Sequence, residues 1–204
     1  TQNWIGTRGC TIEEATYIPP PPVALNDLLE NFIGYVNVEQ EDIDPIIQAA
    51  LVHAQFELIH PFDDGNGRIG RILIPLFLTK KGCLVSPSLY ISRYLESNRD
   101  QYSGRLEQTS AIGDWFSWFK FFLVALITQA NNNLNLIRQV IQLYEDMKRQ
   151  IADVLHSDQA IHIVDLLFDT PVFRAPDVHR RLGIQRQRAA YYLRTLKTAG
   201  IIRE

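Results

Sequence analysis

The sequence predicts a mostly α-helical chain: a helical bundle preceded by a small β-hairpin flap and followed by a small winged helix-turn-helix domain. Three observations carry this. Apolar residues recur every three or four positions through most of the stretch from Val23 to Leu155. Residues 1–18 show no helical period, mix Gly, Thr and β-branched side chains, and run into four consecutive prolines. The tail reads as helix, short helix, Gly turn and basic helix. The boundaries fall at 1–22 for the flap and connector, 23–130 for the helical core, 131–155 for a linking helix and 156–204 for the tail.

With 204 residues the chain can build one good core, or one domain and a small second one. A net charge of −3 argues against a generally basic nucleic-acid binder but leaves a local basic patch open. Cys10 and Cys83 are the only cysteines and have no metal-type spacing with histidine. A reducing, cytoplasmic setting fits them. No signal peptide is visible. The longest apolar stretch, from Trp115 to Ala130, is interrupted by Lys120, so no membrane contact is expected. The start at Thr1 without Met implies a processed or trimmed chain.

Gly6 and Gly9 bracket Thr7-Arg8, which suggests a hairpin whose second arm lies near Ala15 to Ile18. Pro19 to Pro22 can join neither a ladder nor a helix interior, so they form a stiff connector, either a surface linker or a brace for the flap. A helix follows with Leu25, Leu28, Leu29, Phe32, Ile33 and Val36 on its apolar face. Asp44 then caps a second helix with Pro45 at its first position, running to about Ile59. His53 and Glu57 lie one turn apart on it, as half of a metal site or as a hydrogen-bonded pair at the core edge. Ile69 to Leu78 is apolar on nearly all sides and reads as the central buried helix, ended by Gly82. Tyr90 to Leu106 and Trp115 to Ala130 are further helices. Asn131 to Leu155 continues with Leu134, Ile137, Ile141, Tyr144, Met147, Ile151 and Leu155 on one stripe, as a spine between two domains.

The chemistry concentrates in His60 to Arg71, HPFDDGNGRIGR. Gly65-Asn66-Gly67 opens a helix, and the unsatisfied N–H groups of a helix start favour an anion. Arg68 and Arg71 are neighbours on one face of that helix, and two guanidinium forks beside an anion nest imply more than one phosphate. An acid there makes sense if it holds Mg²⁺ against those phosphates, and Asp64 adjoins the glycines. His60, just before the turn, can take a proton from a hydroxyl. A plain polar turn would give no reason for so much charge between two apolar helices.

These residues match the Fic family signature, His-x-Phe-x-Asp/Glu-Gly-Asn-Gly-Arg-x-x-Arg, at every fixed position: His60, Phe62, Asp64, Gly65, Asn66, Gly67, Arg68 and Arg71. The flap, the proline run and the helices to about Ala130 also resemble the body of Fic proteins. The tail resembles the winged helix that follows this domain in many bacterial members. The resemblance implies transfer of AMP from ATP to a Ser, Thr or Tyr hydroxyl of a target protein. It makes His60 the general base, Phe62 a core anchor of the loop and Asp64 the Mg²⁺ ligand. Gly65, Asn66 and Gly67 become the anion hole, and Arg68 and Arg71 orient the β- and γ-phosphates. Glu14, Ala15, Thr16 and Tyr17 become the flap that registers the target by strand addition. Asn98 and Tyr102 match the region that meets the nucleoside, although a Tyr pair common there is Tyr102-Ser103 here. Many relatives carry an inhibitory helix, Ser/Thr-x-x-x-Glu-Gly/Asn. Ser92-x-x-x-Glu96-Ser97 departs from it at the last position and reads as helix surface, so an inhibitory helix is expected upstream of Thr1.

In the tail, Arg186, Arg188, Arg194 and Lys197 lie on a helix without an acid. Gln185 to Arg188 supply the cations and amides that a DNA-reading helix needs at its N-terminal end. A solvated dimerisation or protein-interaction module explains the same residues. Two functions therefore stand: a protein adenylyltransferase, or a DNA-binding regulator whose nucleotide site is a sensor. Within the enzyme class, AMP removal and kinase-like transfer are the neighbouring chemistries. An intact His60 favours the enzyme.

Overall fold

The computed structural model describes residues 2–6, 9–39 and 42–203. The chain divides into two compact units, Thr1–Asn133 and Leu134–Glu204. The described residues are mostly helical, and none forms a β-strand.

In the first unit, α1 (Leu25–Asn37) follows a 3-10 turn at Pro22–Ala24. Then come α2 (Pro45–Ile59), α3 (Asn66–Lys80), α4 (Ser92–Ser97) and α5 (Arg99–Ile112), with α6 (Trp115–Leu155) beginning there. The start of α2 is as expected. Pro45 sits where a missing N–H is harmless, and the Asp44 carboxylate accepts from the Ile46 N–H at 2.8 Å. The central helix is α2 rather than α3. Ala49, Ala50, Val52, Ala54, Phe56 and Ile59 are buried along α2 together with Gln48, His53 and Glu57. On α3, Ile74, Phe77 and Leu78 face the core, but Ile69, Ile72 and Leu76 stay exposed. Spacings of three and four put those three on one outward stripe, which an apolar count alone does not separate from a buried one.

Trp118 and Phe122 fill the core against α2, and the Trp118 indole N–H donates to the Ala50 carbonyl at 3.0 Å. At the far end of α3, Lys80 donates to the Val36 carbonyl at 3.0 Å and to Asn37 Oδ1 at 2.7 Å. A cation there satisfies a carbonyl at the negative end of α1.

The expected β-hairpin flap reduces to a strap. Its one bridge joins Ile5 to Tyr17 antiparallel, and a 3-10 turn at Ile12–Glu14 separates the arms. Thr7 and Arg8, the expected tip, lie outside the described residues. The strap's polar groups go to the body instead of to a ladder. Asn3 Nδ2 donates to the carbonyls of His60 and Phe62 at 3.0 and 3.2 Å, and the Tyr17 hydroxyl donates to the Leu58 carbonyl at 2.7 Å.

In the second unit, Tyr144, Met147, Ile151 and Leu155 of α6 pack with α7 (Ala160–Asp169), α8 (Ala175–Leu182) and α9 (Arg186–Thr198). Earlier on the same helix Leu134, Ile137 and Ile141 are about half exposed, so only the later part of the expected stripe is buried. Gly183 takes a left-handed conformation (φ 62) and lets α9 start three residues after α8 closes. The expected wing is absent as a strand. Gly200 (φ 71) turns the chain, the Ile201 N–H bonds back to the Leu196 carbonyl at 3.0 Å, and Ile201 and Ile202 pack on the core as a helix end. Among the described residues no helix is long and apolar enough to cross a membrane.

Candidate active site

The site is made where α2 ends and α3 begins. His60 terminates α2 in a left-handed conformation (φ 49, ψ 57), one of two non-glycine residues with positive φ among those described. A side chain is disfavoured there, so the loop must hold it in place. Asn66 supplies the hold. Its buried amide accepts from the Phe62 N–H at 2.9 Å and donates back to the Phe62 carbonyl. Asn3 braces the same loop from the strap. Phe62 contacts the Phe56 ring but is 47% exposed, so it is not the expected core anchor. The reciprocal amide pair does that work with hydrogen bonds.

His60 Nδ1 lies 3.2 Å from the Glu57 carbonyl oxygen. A carbonyl only accepts, so Nδ1 carries the proton and Nε2 of the neutral ring keeps its lone pair. Burial pushes the imidazole below its ordinary pKa, opposed by that backbone bond, which favours the neutral base.

At the start of α3, Gly65 (φ 88) is the N-cap and the Ile69 N–H is the first to bond back, to the Gly65 carbonyl. The N–H groups of Asn66, Gly67 and Arg68 are therefore left outside the helical ladder at its positive end. The Asp64 carboxylate accepts from the Gly65 N–H at 2.7 Å and from Arg68 at 3.1 Å, with both side chains largely in solvent. Among the described residues no three His, Cys, Asp or Glu side chains converge on a metal position. One exposed carboxylate beside an anion nest nonetheless suits Mg²⁺, which takes one or two carboxylates and fills its shell from water and substrate phosphates.

A cavity of about 460 Å³ opens beside this loop. Of the expected residues, Thr16, Tyr17, His60, Gly67, Arg71 and Tyr102 line it. Glu14, Ala15, Asp64, Gly65, Asn66, Arg68 and Asn98 do not. Asn98 is instead the joint between α4 and α5, and its amide donates to the Tyr94 carbonyl at 2.9 Å. Glu14 caps the 3-10 turn by accepting from the Thr11 N–H.

The cavity also shows residues that the sequence reading passed over. Glu96, read as helix surface, lies 3.7 Å from Arg71 and lines the cavity. Its sequence signal is the near-match Ser92-x-x-x-Glu96-Ser97, which departs from the inhibitory pattern only at its last position. Glu57 lines the cavity too. Its Oε1 is buried and has no partner among the described residues, and burial pushes the carboxyl up to about 7 against the pull of Arg71. His53 bonds to groups other than Glu57. It is fully buried, with Nδ1 2.9 Å from the Gly70 carbonyl and Nε2 3.0 Å from the Tyr102 hydroxyl. Burial holds it neutral, with a pKa of about 4, and it thereby fixes Tyr102 as a cavity wall.

A tight loop that sets a neutral imidazole, a helix-start anion nest and an arginine close together suits nucleotidyl- or phosphoryl-transfer chemistry. Residues 3–78 match the model of the Fic/DOC family. The chain is 34% identical over 92 residues to a probable protein adenylyltransferase of Aquifex aeolicus (strain VF5), covering 45% of this chain and 28% of that protein. It is 42% identical over 67 residues to protein adenylyltransferase Fic of Culex quinquefasciatus, covering 32% of this chain and 13% of that protein. It thus spans well under half the length of these curated relatives. A Fic family protein from Desulfovibrio desulfuricans G20 has the same fold, with a TM-score of 0.54 and 20% identity over 90% of this chain and 51% of that one.

Proposed function

We propose that this chain transfers AMP from ATP to a Ser, Thr or Tyr hydroxyl of a target protein. The observation that carries the reading is the meeting of His60, Gly67 and Arg71 on one cavity shared with Thr16 and Tyr17 of the strap. His60 Nε2 takes the proton of the target hydroxyl. The hydroxyl oxygen bonds to the α-phosphorus, the bond to the bridging oxygen breaks, and pyrophosphate leaves. The N–H groups at Asn66, Gly67 and Arg68 donate to phosphate oxygens, and Arg71 balances their charge. Arg68 is positioned to join them by releasing Asp64. Asp64 is the residue that would hold Mg²⁺, which supplies further charge neutralisation of the phosphates when bound.

In the strap, the N–H groups of Glu14, Ala15, Thr16 and Tyr17 are bonded internally. A target segment is therefore registered through carbonyl oxygens rather than by full strand addition. Replacing His60 by Ala tests the assignment. Transfer should fall about 10²–10⁴-fold while ATP binding persists. Unchanged transfer would remove His60 from the role.

For the tail we propose a helix-turn-helix module that contacts DNA through α9. The exposed basic face of that helix favours it over a neutral protein contact. Arg186 is exposed at the start of α9, and Arg188 lies along the helix with Nε 2.7 Å from the Tyr192 hydroxyl. Duplex binding that weakens with salt and is reduced in Arg186→Ala supports this contact, and salt-independent or absent binding removes it.

A further inference from the structure

Three features around Arg71 have no part in the chemistry above. The Glu57 carboxyl, 8% exposed, lines the cavity with Oε1 buried and unpartnered. Gly70 of α3 is the reason it fits. A Cβ at Gly70 would lie 2.1 Å from Glu57 Oε1 and 3.2 Å from the Phe56 ring, so the carboxyl is wedged against bare backbone. On the cavity side Glu96 reaches Arg71 at 3.7 Å from a side chain that is 67% exposed.

Arg71 therefore faces two acids of opposite freedom. When phosphates arrive at its guanidinium, Glu96 can swing into water. Glu57 is walled in and cannot. A fixed, largely buried carboxylate beside two or more new negative charges is strongly disfavoured as an anion. Removing its charge needs one proton and no movement.

We propose that Glu57 is the positioning residue behind the phosphate-binding arginine, and that it takes up one proton from solvent as a nucleotide binds. This rests on the nucleotide-binding reading of the site. The other groups facing this carboxyl do not share the role. On α2, His53 and His60 are held low by burial and stay neutral above pH 7. Tyr102 on α5 and Tyr17 on the strap are held high by burial and stay protonated. Arg71 of α3 and Arg99 of α5 keep their charge throughout. Glu96 and Glu107 are exposed acids that water can solvate. Burial has already brought Glu57 to about 7, where a neighbouring phosphate has most effect.

The test is Mg-ATP binding by titration calorimetry from pH 7 to 9, in two buffers of different ionisation heat, with the wild-type chain and Glu57→Gln. The wild type should take up close to one proton per ATP near pH 8, and its affinity should fall by up to about tenfold per pH unit. Glu57→Gln, a neutral mimic of the protonated acid, should bind without proton uptake, keep a flat affinity and exceed the wild type at pH 9. Wild-type binding without proton uptake would overturn the proposal using no variant at all. Equal pH slopes in the two proteins would overturn it as well. No binding of ATP by the wild type at any pH would instead overturn the nucleotide reading on which it stands.

Discussion

His60 Nδ1 is spent on the Glu57 carbonyl oxygen 3.2 Å away, and that one contact leaves Nε2 as the free nitrogen of the neutral ring. Glu57 thus meets the site twice: its carbonyl bonds the His60 ring and its side chain lines the cavity that Arg71 also lines. The two assignments separate by mutation, since Glu57→Gln changes the side chain and leaves the carbonyl.

The pH profile should show the base. Burial lowers the His60 pKa from its ordinary 6.5, so the ring stays neutral to more acid pH than a free histidine. Activity per enzyme, kcat/KM against pH, should therefore lose its acid limb below 6.5. A limb centred above that value would show that His60 is charged in the free enzyme and is not the base.

Glu96→Gln should separate binding from stability. An ion pair this exposed contributes under about 1 kcal/mol to folding, so the melting temperature should hardly move. Arg71 should be freer for phosphate, and Mg-ATP affinity should rise up to about fivefold. Weaker ATP binding in Glu96→Gln, by equilibrium titration, would contradict the competition.

Gly70→Ala should destabilise the fold. Its Cβ would sit 2.1 Å from a wedged carboxyl oxygen, and overpacking of this kind costs about 1–3 kcal/mol. Gly34→Ala on α1 meets nothing within 4 Å and should stabilise by about 0.5–1 kcal/mol. Denaturant melts of the two variants read opposite signs, and equal signs would mean that the Glu57–Gly70 contact is not as tight as described.

Stability against pH should show two cancelling buried groups. The Glu57 pKa rises from 4.5 to about 7 on folding, so its contribution is present below 4.5 and is lost as pH rises through 7. The His53 pKa falls from 6.5 to about 4, so its contribution is present above 6.5 and is lost as pH falls through 4. Between 4.5 and 6.5 the two slopes oppose. In Glu57→Gln only the His53 slope remains, and the variant should lose up to about 3 kcal/mol relative to wild type as pH drops across that window. Parallel curves for the two proteins would contradict this.

The cavity-lining residues most legible in the sequence are contiguous. His60, Gly67 and Arg71 lie on the short stretch where α2 ends and α3 begins, whose geometry follows from Gly65 and from the ends of those helices. The Asp44 cap and Pro45 likewise placed α2 to the residue. What stayed hidden depends on which residues fold against that loop. Glu96 reads as helix surface because Ser97 breaks the inhibitory pattern, yet α4 brings it to Arg71. His53 and Glu57 share a helix face, yet the two groups that His53 bonds, Gly70 and Tyr102, come from α3 and α5. The strap misled for a related reason: its arms pair only at the Ile5–Tyr17 bridge, and the Asn3 and Tyr17 side chains tie it to the His60 loop and to Leu58, so the hairpin does not extend into strands. Ile201 and Ile202 look like a strand but close α9 over the core.

The most direct measurement of the central claim is to incubate the chain with Mg²⁺ and ATP labelled separately at the α- and γ-phosphate, and to read self-modification by denaturing gel and mass spectrometry. The account predicts covalent label from the α-phosphate only, with the mass of AMP, absent in His60→Ala. Label from the γ-phosphate, or α-label that survives in His60→Ala, would contradict it.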